Sequence, residues 1–65
     1  MTTTGPMFRA WRLDQKLGLN ATAKELKVSA QFLSDFERGH RTMGPENVKK
    51  LELFMVAHQI KVAAS

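Results

Sequence analysis

Apolar residues recur along this chain at helical spacing, in segments separated by glycine, proline and short polar turns. The first segment predicts a helix over about residues 7–17, whose apolar face is formed by Phe8, Trp11 and Leu17. Pro6 suits the start of this helix, because the N–H group that proline lacks would have no partner in the first turn. The chain therefore opens with an amphipathic helix that stops near a glycine.

Two shorter segments follow, joined by about three residues. The first predicts a helix over residues 19–26, with Ala23 and Leu26 on one face. Ser29 suits the start of the next helix, since its hydroxyl can accept a hydrogen bond from an unpaired backbone N–H. The apolar face of that helix, which a glycine follows, is predicted to consist of Phe32, Leu33 and Phe36. Two short helices connected in this way are typical of a helix-turn-helix.

The last segment predicts a helix that begins at Pro45 and carries two apolar faces. One face consists of Val48, Leu51, Phe54, Met55 and His58. The other consists of Leu53, Val56 and Ile60. Because two apolar faces need two surfaces to bury them, this second stripe and Val62 are the predicted dimerisation surface. The alternative is that these residues complete the core of a monomer, and the sequence leaves open whether residues 60–64 form a helix or an extended strand.

With 65 residues, the chain can hold one domain. We expect an all-α fold, a compact bundle of four to five short helices. Its helix-turn-helix domain should span residues 6–59, between a flexible N-terminal tail, residues 1–5, and a C-terminal tail, residues 60–65. No apolar run approaches the roughly 20 residues of a membrane span, and no leader pattern is evident.

Several kinds of chemistry find no support in the sequence. The absence of cysteine excludes disulfides and thiolate metal sites. His40 and His58 have no acidic partner at the spacing of metal ligands, so neither a metal nor a cofactor is predicted. There is no glycine-rich phosphate loop, no HExxH motif and no evident pair of catalytic carboxylates, so we do not expect an enzyme.

Charge adds a class of partner. The formal net charge is +4 at pH 7. A basic domain is attracted to polyanions, which include nucleic acids and anionic membrane surfaces. Charge alone does not choose between these partners.

A family resemblance favours DNA. Residues 19–39, LNATAKELKVSAQFLSDFERG, resemble the helix-turn-helix of the lambda-repressor-like family, to which Cro and phage repressors belong. The similarity extends from about Phe8 to Phe54, and its most specific matches are Ala23, Leu26, Val28, Ser29, Leu33, Phe36 and the ending Glu37-Arg38-Gly39. Three positions depart from the family pattern: a turn glycine is replaced by Lys27, a common leucine by Thr22, and a phosphate-binding glutamine by Leu19. A lysine at position 27 must adopt the left-handed conformation or reshape the turn.

The resemblance implies a sequence-specific DNA-binding regulator in the cytoplasm of a prokaryotic or phage-infected cell. A Cro-like repressor or autoregulator, of phage or mobile-element origin, would occupy a pseudo-palindromic operator through the major groove and exclude RNA polymerase. The family also implies a homodimer, at least on DNA, and an ion pair between Arg12 and Glu37; the alternative is that Glu37 is solvated. A different possibility is an antitoxin-type module that binds a protein partner as well as its own promoter.

Within the third helix, Gln31 is the leading candidate for a base contact, because an amide can donate to and accept from the edge of adenine at once. Ala30 could touch a thymine methyl group, and Ser34 could donate or accept. Asp35 would either contact the amino group of cytosine or bond a neighbouring arginine. Candidate phosphate contacts are Ser29, Arg38, His40, Arg41, Lys16 and Lys24, with Arg9 as a further cation. The alternative for each is an exposed side chain without a partner.

Overall fold

The computed structural model describes residues 3–64 and contains four helices in this part of the chain: α1 Gly5–Asp14, α2 Leu19–Leu26, α3 Ala30–Glu37 and α4 Pro45–Ala64. The predicted all-α fold is confirmed. Residues 60–64, which the sequence left open, continue α4 as helix. Met1, Thr2 and Ser65, which belong to the two predicted tails, lie outside the described residues.

The core forms where one face of each helix meets the others. Its buried apolar residues are Phe8, Ala23, Leu26, Leu33, Phe36 and Leu51. Ala23 is only 2% exposed, and its small side chain suits the close packing of α2 within this cluster. Among the described residues of α4, Leu51 alone is fully buried, so the second half of this helix extends beyond the core.

An aromatic cluster packs α1 against α4. The Trp11 ring lies beside Phe8, with a centroid distance of 5.6 Å. It also meets two rings of α4 edge-on, Phe54 at 6.0 Å and His58 at 5.5 Å. Edge-to-face pairs of this kind contribute about 0.5–1.5 kcal/mol beyond the area they bury. Helix α4 is therefore attached to α1 by these rings, in addition to the burial of Leu51 in the common core.

The first three helices end in the same way, with a residue of positive φ that closes the last turn. Val28 N–H donates to the carbonyl of Ala23 at 3.0 Å, and Lys27 N–H donates to that of Lys24 at 3.1 Å. These are the two bonds of the Schellman motif, which normally places glycine in the left-handed position. Lys27 occupies it here, with φ 59° and ψ 39°.

Helix α1 ends by the same motif earlier than expected. The sequence predicted helix to about Leu17, but the helix stops at Asp14 because Lys16 adopts φ 60°. Leu17 N–H then donates to the Arg12 carbonyl at 3.0 Å. After α3 the left-handed position falls to Gly39, with φ 83°.

The start of α1 also differs from expectation, since the helix begins at Gly5 rather than near Met7. Thr4 caps it by accepting a hydrogen bond from Met7 N–H. A Cβ atom on Gly5 would overlap the carbonyl oxygen of Phe36, so only glycine allows α1 to approach the end of α3 this closely. Thr3 reaches α4, donating from its hydroxyl to Glu52 at 3.2 Å. Thr3 to Gly5 thus contact the helical bundle, while the domain boundary at residue 6 remains a prediction.

No helix within residues 3–64 combines the length and apolar character that crossing a bilayer requires.

Candidate nucleic-acid interface

A buried ion pair fixes α3 to α1. The guanidinium of Arg12 donates from Nε to Glu37 Oε2 at 2.8 Å and from Nη2 to Glu37 Oε1 at 2.9 Å. Its remaining nitrogen, Nη1, donates to the carbonyl of Leu17 at 2.7 Å. Arg12 and Glu37 are 7% and 3% exposed. The hydrogen bond that Arg12 donates to Glu37 is the main reason that the pKa of Arg12 is raised, against the opposing effect of burial. One side chain therefore joins α1, the turn after it and the last turn of α3.

The ion pair determines which face of α3 is presented to solvent. Leu33, Phe36 and Glu37 are buried on the inner face. With about 100° per residue, the opposite face is shared by Gln31, Asp35 and Arg38.

The start of α3 is held by its cap. The Ser29 hydroxyl accepts a hydrogen bond from Phe32 N–H at 3.0 Å. Because the hydroxyl oxygen is the acceptor in this bond, its own proton stays available for a donor contact to an external acceptor. Ala30 is half-buried against the core, and Ser34 is half-buried as well. Of the four proposed base contacts, Gln31 is therefore the most exposed.

Asp35 has a different partner from the one expected. Gln31 Nε2 donates to Asp35 Oδ1 at 3.0 Å, one helical turn away. We expected the carboxylate to contact cytosine or to bond an arginine, but its side-chain partner within residues 3–64 is this amide. Gln–Asp pairs at this spacing are favourable on helices because the two side chains lie on one face.

Arg41 lies over an aromatic ring. Its guanidinium carbon is 4.7 Å from the centroid of the Phe32 ring, a cation–π geometry. Phe32 was expected in the core, but it is only half-buried and carries the arginine on its face. The helical angle is a signal of this position in the sequence, since Phe32 lies about 100° from Leu33, at the edge of the apolar face. The segment after α3 thus folds back onto the flank of that helix, between its buried and its solvent-facing sides.

A comparison with known protein families matches most of this chain to one of them. The family model of the helix-turn-helix, of the Cro/C1 type, matches residues 8–55. The chain belongs to this family. The helix-turn-helix protein is accordingly a DNA-binding transcriptional regulator, and α2 and α3 are its two motif helices. Neither the curated proteins nor the solved structures yielded a match.

The other candidate cations of this helix-turn-helix protein are exposed. Arg38 lies at the end of α3 and His40 just after it, and both come shortly before Arg41 in the sequence. Lys16 follows α1, Lys24 lies on α2 and Arg9 on α1. Leu19, in contrast, is half-buried and packs against the core, so its side chain is committed to the fold.

The second apolar face of α4 is exposed as a stripe. Leu53, Val56 and Ile60 are 60%, 55% and 65% exposed, and they repeat at intervals of three and four residues along one side. Val62 lies nine residues after Leu53, which places it about 180° around the helix. The residues predicted for dimerisation are therefore divided between two sides of α4. Beside the stripe runs a shallow groove between α2 and α4, lined by Glu25, Leu53, Phe54 and Ala57 among others.

Proposed function

We propose that this regulator is a Cro-like repressor, in the cytoplasm, that binds an operator near its own gene and excludes RNA polymerase from the promoter. The observation that carries the proposal is the exposed face of α3, where Gln31 faces solvent beside a capped helix start. Amide and hydroxyl groups at the N-terminal end of a recognition helix are the groups that contact base edges in the major groove. Family membership supports DNA as the ligand.

The proposed division of labour follows from exposure and charge. Gln31 contacts a base directly, with Ser34, Ala30 and Asp35 as neighbours along the same groove. Phosphates are bound by Arg38, His40 and Arg41 after α3, by the Ser29 hydroxyl before it, and by Lys16 and Lys24 on the flanking elements. Contacts to phosphates supply most of the affinity and depend strongly on salt, whereas base contacts supply the discrimination.

The proposed functional unit is a homodimer, at least on DNA. A single module of this size contacts few base pairs, and two modules on half-sites about 34–36 Å apart contact twice as many. The stripe Leu53, Val56 and Ile60 supports a self-complementary interface, since it projects away from the core and is apolar throughout. A two-fold dimer uses the same patch on both chains, so one apolar stripe is sufficient.

Binding would be measured by fluorescence anisotropy at about 150 mM salt, with a duplex from upstream of this gene and a scrambled duplex of equal composition. We expect specific dissociation constants of about 10⁻⁸–10⁻¹¹ M, at least about 10³-fold below those for the scrambled duplex. Gln31→Ala should reduce that ratio. Gln59→Ala, which changes an exposed glutamine on α4, is the matched control and should leave it unchanged. Equal affinity for every duplex in a library of random sequences would refute a sequence-specific repressor.

Dimerisation is tested separately by sedimentation equilibrium and by the cooperativity of operator saturation. Ile60→Glu places a charge in the stripe and should abolish both dimer and cooperativity, while Gln59→Glu, one residue away, should preserve them. Val62→Glu distinguishes the two sides of α4, and we expect it to leave association intact. Loss of association in Val62→Glu but not in Ile60→Glu would contradict the interface. Monomeric binding to DNA with no cooperativity would favour the alternative, a module that binds a protein partner as well as its promoter.

A further inference from the structure

The feature that the repressor function leaves unexplained is a carboxylate in the middle of the DNA-facing surface. Asp35 lies on the same outward face as Gln31 and Arg38. Any helix that enters the major groove brings this face towards two rows of phosphates. A negative charge there opposes binding, since each phosphate is itself negative. A carboxylate at this position therefore calls for a contribution to function that offsets the repulsion.

The hydrogen bond from Gln31 supplies that contribution. A glutamine amide has two N–H donors and one carbonyl acceptor, and rotation by half a turn exchanges their positions. A carboxylate only accepts, so it binds the NH₂ side of the amide and repels the oxygen side. With Nε2 donating to Asp35 Oδ1 at 3.0 Å, the amide is held in one of its two orientations.

What remains of the amide after this bond is one N–H and the oxygen Oε1. In the major groove adenine offers the acceptor N7 beside the donor N6–H₂, which matches a donor beside an acceptor. Guanine offers two acceptors, N7 and O6, so its O6 would face Oε1 without a proton between them. The oriented amide is thus complementary to adenine and not to guanine.

We propose that Asp35 is a positioning residue, which fixes the Gln31 amide so that this helix-turn-helix distinguishes adenine from guanine at one operator position. This inference rests on the proposed function, since it requires Gln31 to face a base. Asp35 itself contacts no base. Its negative charge lowers the overall affinity for DNA, and in exchange it sharpens the choice at one base pair.

The test compares base preferences selected from a library of random duplexes by wild type, Gln31→Ala, Asp35→Ala and Asp35→Asn. The position at which Gln31→Ala loses its preference for adenine identifies the base that Gln31 contacts. At that position we expect wild type to prefer adenine over guanine by roughly 5- to 150-fold, the range for a bidentate contact. Asp35→Ala should reduce this preference to below about threefold, while affinity for the library as a whole stays equal or rises.

Asp35→Asn separates orientation from charge. The asparagine oxygen can still accept from Nε2, so adenine preference should be largely retained, and removal of the negative charge should tighten binding to all duplexes. Replacing the selected adenine with 7-deazaadenine removes the N7 acceptor. This change should weaken wild type and Asp35→Asn but have little effect on Asp35→Ala. Circular dichroism of each variant checks that α3 is intact; the backbone bond from His40 N–H to the Asp35 carbonyl, at 2.9 Å, does not involve the substituted side chain.

Two results would overturn the inference while leaving the repressor function in place. In one, Asp35→Ala keeps the adenine preference and instead loses a preference for cytosine, which would show that the carboxylate contacts a base itself. In the other, Gln31→Ala changes the preference at no position. Failure of wild type to select any sequence would refute the repressor function itself, so the two failures are distinguishable.

Discussion

The ion pair between Arg12 and Glu37 gives the sharpest prediction about stability. Glu37→Ala would remove both carboxylate acceptors of the guanidinium and leave a charge that is 7% exposed with one remaining partner, the carbonyl of Leu17. Breaking a buried pair from one side costs about 3–5 kcal/mol. At about 0.05–0.15 kcal/mol per residue, a domain of this length has about 3–10 kcal/mol of stability in total. We therefore expect Glu37→Ala to lose from a third to all of its free energy of unfolding.

Urea and thermal denaturation, followed by circular dichroism, measure this loss. The expected decrease in Tm is roughly 10–40 °C, from the usual 4–8 °C per kcal/mol for small domains. Since Glu37→Ala could be unfolded at 25 °C, a milder variant is included. Arg12→Lys keeps the charge but cannot donate two parallel hydrogen bonds to the carboxylate, so it should fold with reduced stability.

The double variant Arg12→Met, Glu37→Met tests whether charge burial is the cause. Replacing both partners with apolar groups of similar size removes the unpaired charge, so the double variant should be more stable than Glu37→Ala. Because the pKa of Arg12 is raised by Glu37, the guanidinium stays charged in the fold, and its contribution is lost only as pH rises through that elevated value. Between neutral pH and about pH 10 we therefore expect no loss from this group. A free energy of unfolding for Glu37→Ala within about 1 kcal/mol of the wild-type value would refute the reasoning.

Three further predictions concern the backbone and the DNA contacts. Gly5→Ala should destabilise the fold by about 1–3 kcal/mol, because the new Cβ overlaps a backbone oxygen of α3. Gly44→Ala, which adds a Cβ in open space, should change the free energy of unfolding measured in urea by less than about 1 kcal/mol, and equal effects would contradict the close approach. Lys27→Gly should raise the free energy of unfolding by about 0.5–1 kcal/mol, since relief of the left-handed strain exceeds the entropy that glycine adds to the unfolded chain. Lys27→Ala is the control. A similar gain in that variant would show that the positive φ is not the cause. Arg41→Ala should weaken binding to operator and scrambled duplexes alike and lower the slope of log affinity against log salt by about one. Phe32→Leu, which removes the ring beneath the guanidinium, should shift affinity in the same direction by less, and a loss confined to the operator duplex would contradict a phosphate contact.

The helix-turn-helix itself was predictable from the residues that close its helices. The bounds 19–26 of α2 follow from Gly18 before the helix and from the short Lys27-Val28 connection after it, and the structure has the same bounds. Ser29 predicts the start of α3 because its hydroxyl can cap a helix, and Gly39 predicts the end because glycine readily adopts a positive φ. These signals are local, since each depends on hydrogen bonds within five residues.

The remaining features depend on contacts between segments far apart in sequence. The spacing of Leu17 suggested a longer α1, because nothing local marks Lys16 as a left-handed residue in the way a glycine would. Gly5 counted as part of a tail, since the need for a missing Cβ becomes visible only when α3 packs against it. Apolar character placed Phe32 in the core, whereas the fold brings Arg41 back onto its ring.

The candidate nucleic-acid interface was also predictable only in part. Gln31 was a candidate because of its residue type and its place in the motif, but its bond to Asp35 depends on rotamers that the sequence does not specify. For Asp35 the sequence suggested cytosine or an arginine as the partner, whereas its carboxylate accepts from the Gln31 amide, a donor one helical turn away.

The aromatic cluster between α1 and α4 gives this protein an internal optical probe. Trp11 is its single tryptophan, and the rings around it belong to α1 and α4, with His58 edge-on at 5.5 Å. Indole emission responds to polarity and to charge within a few ångströms, so its wavelength and intensity monitor the seating of α4. Detachment of α4 from α1 would then be visible without a dye, and it could be followed in the same denaturation experiments that test the pair of Arg12 and Glu37.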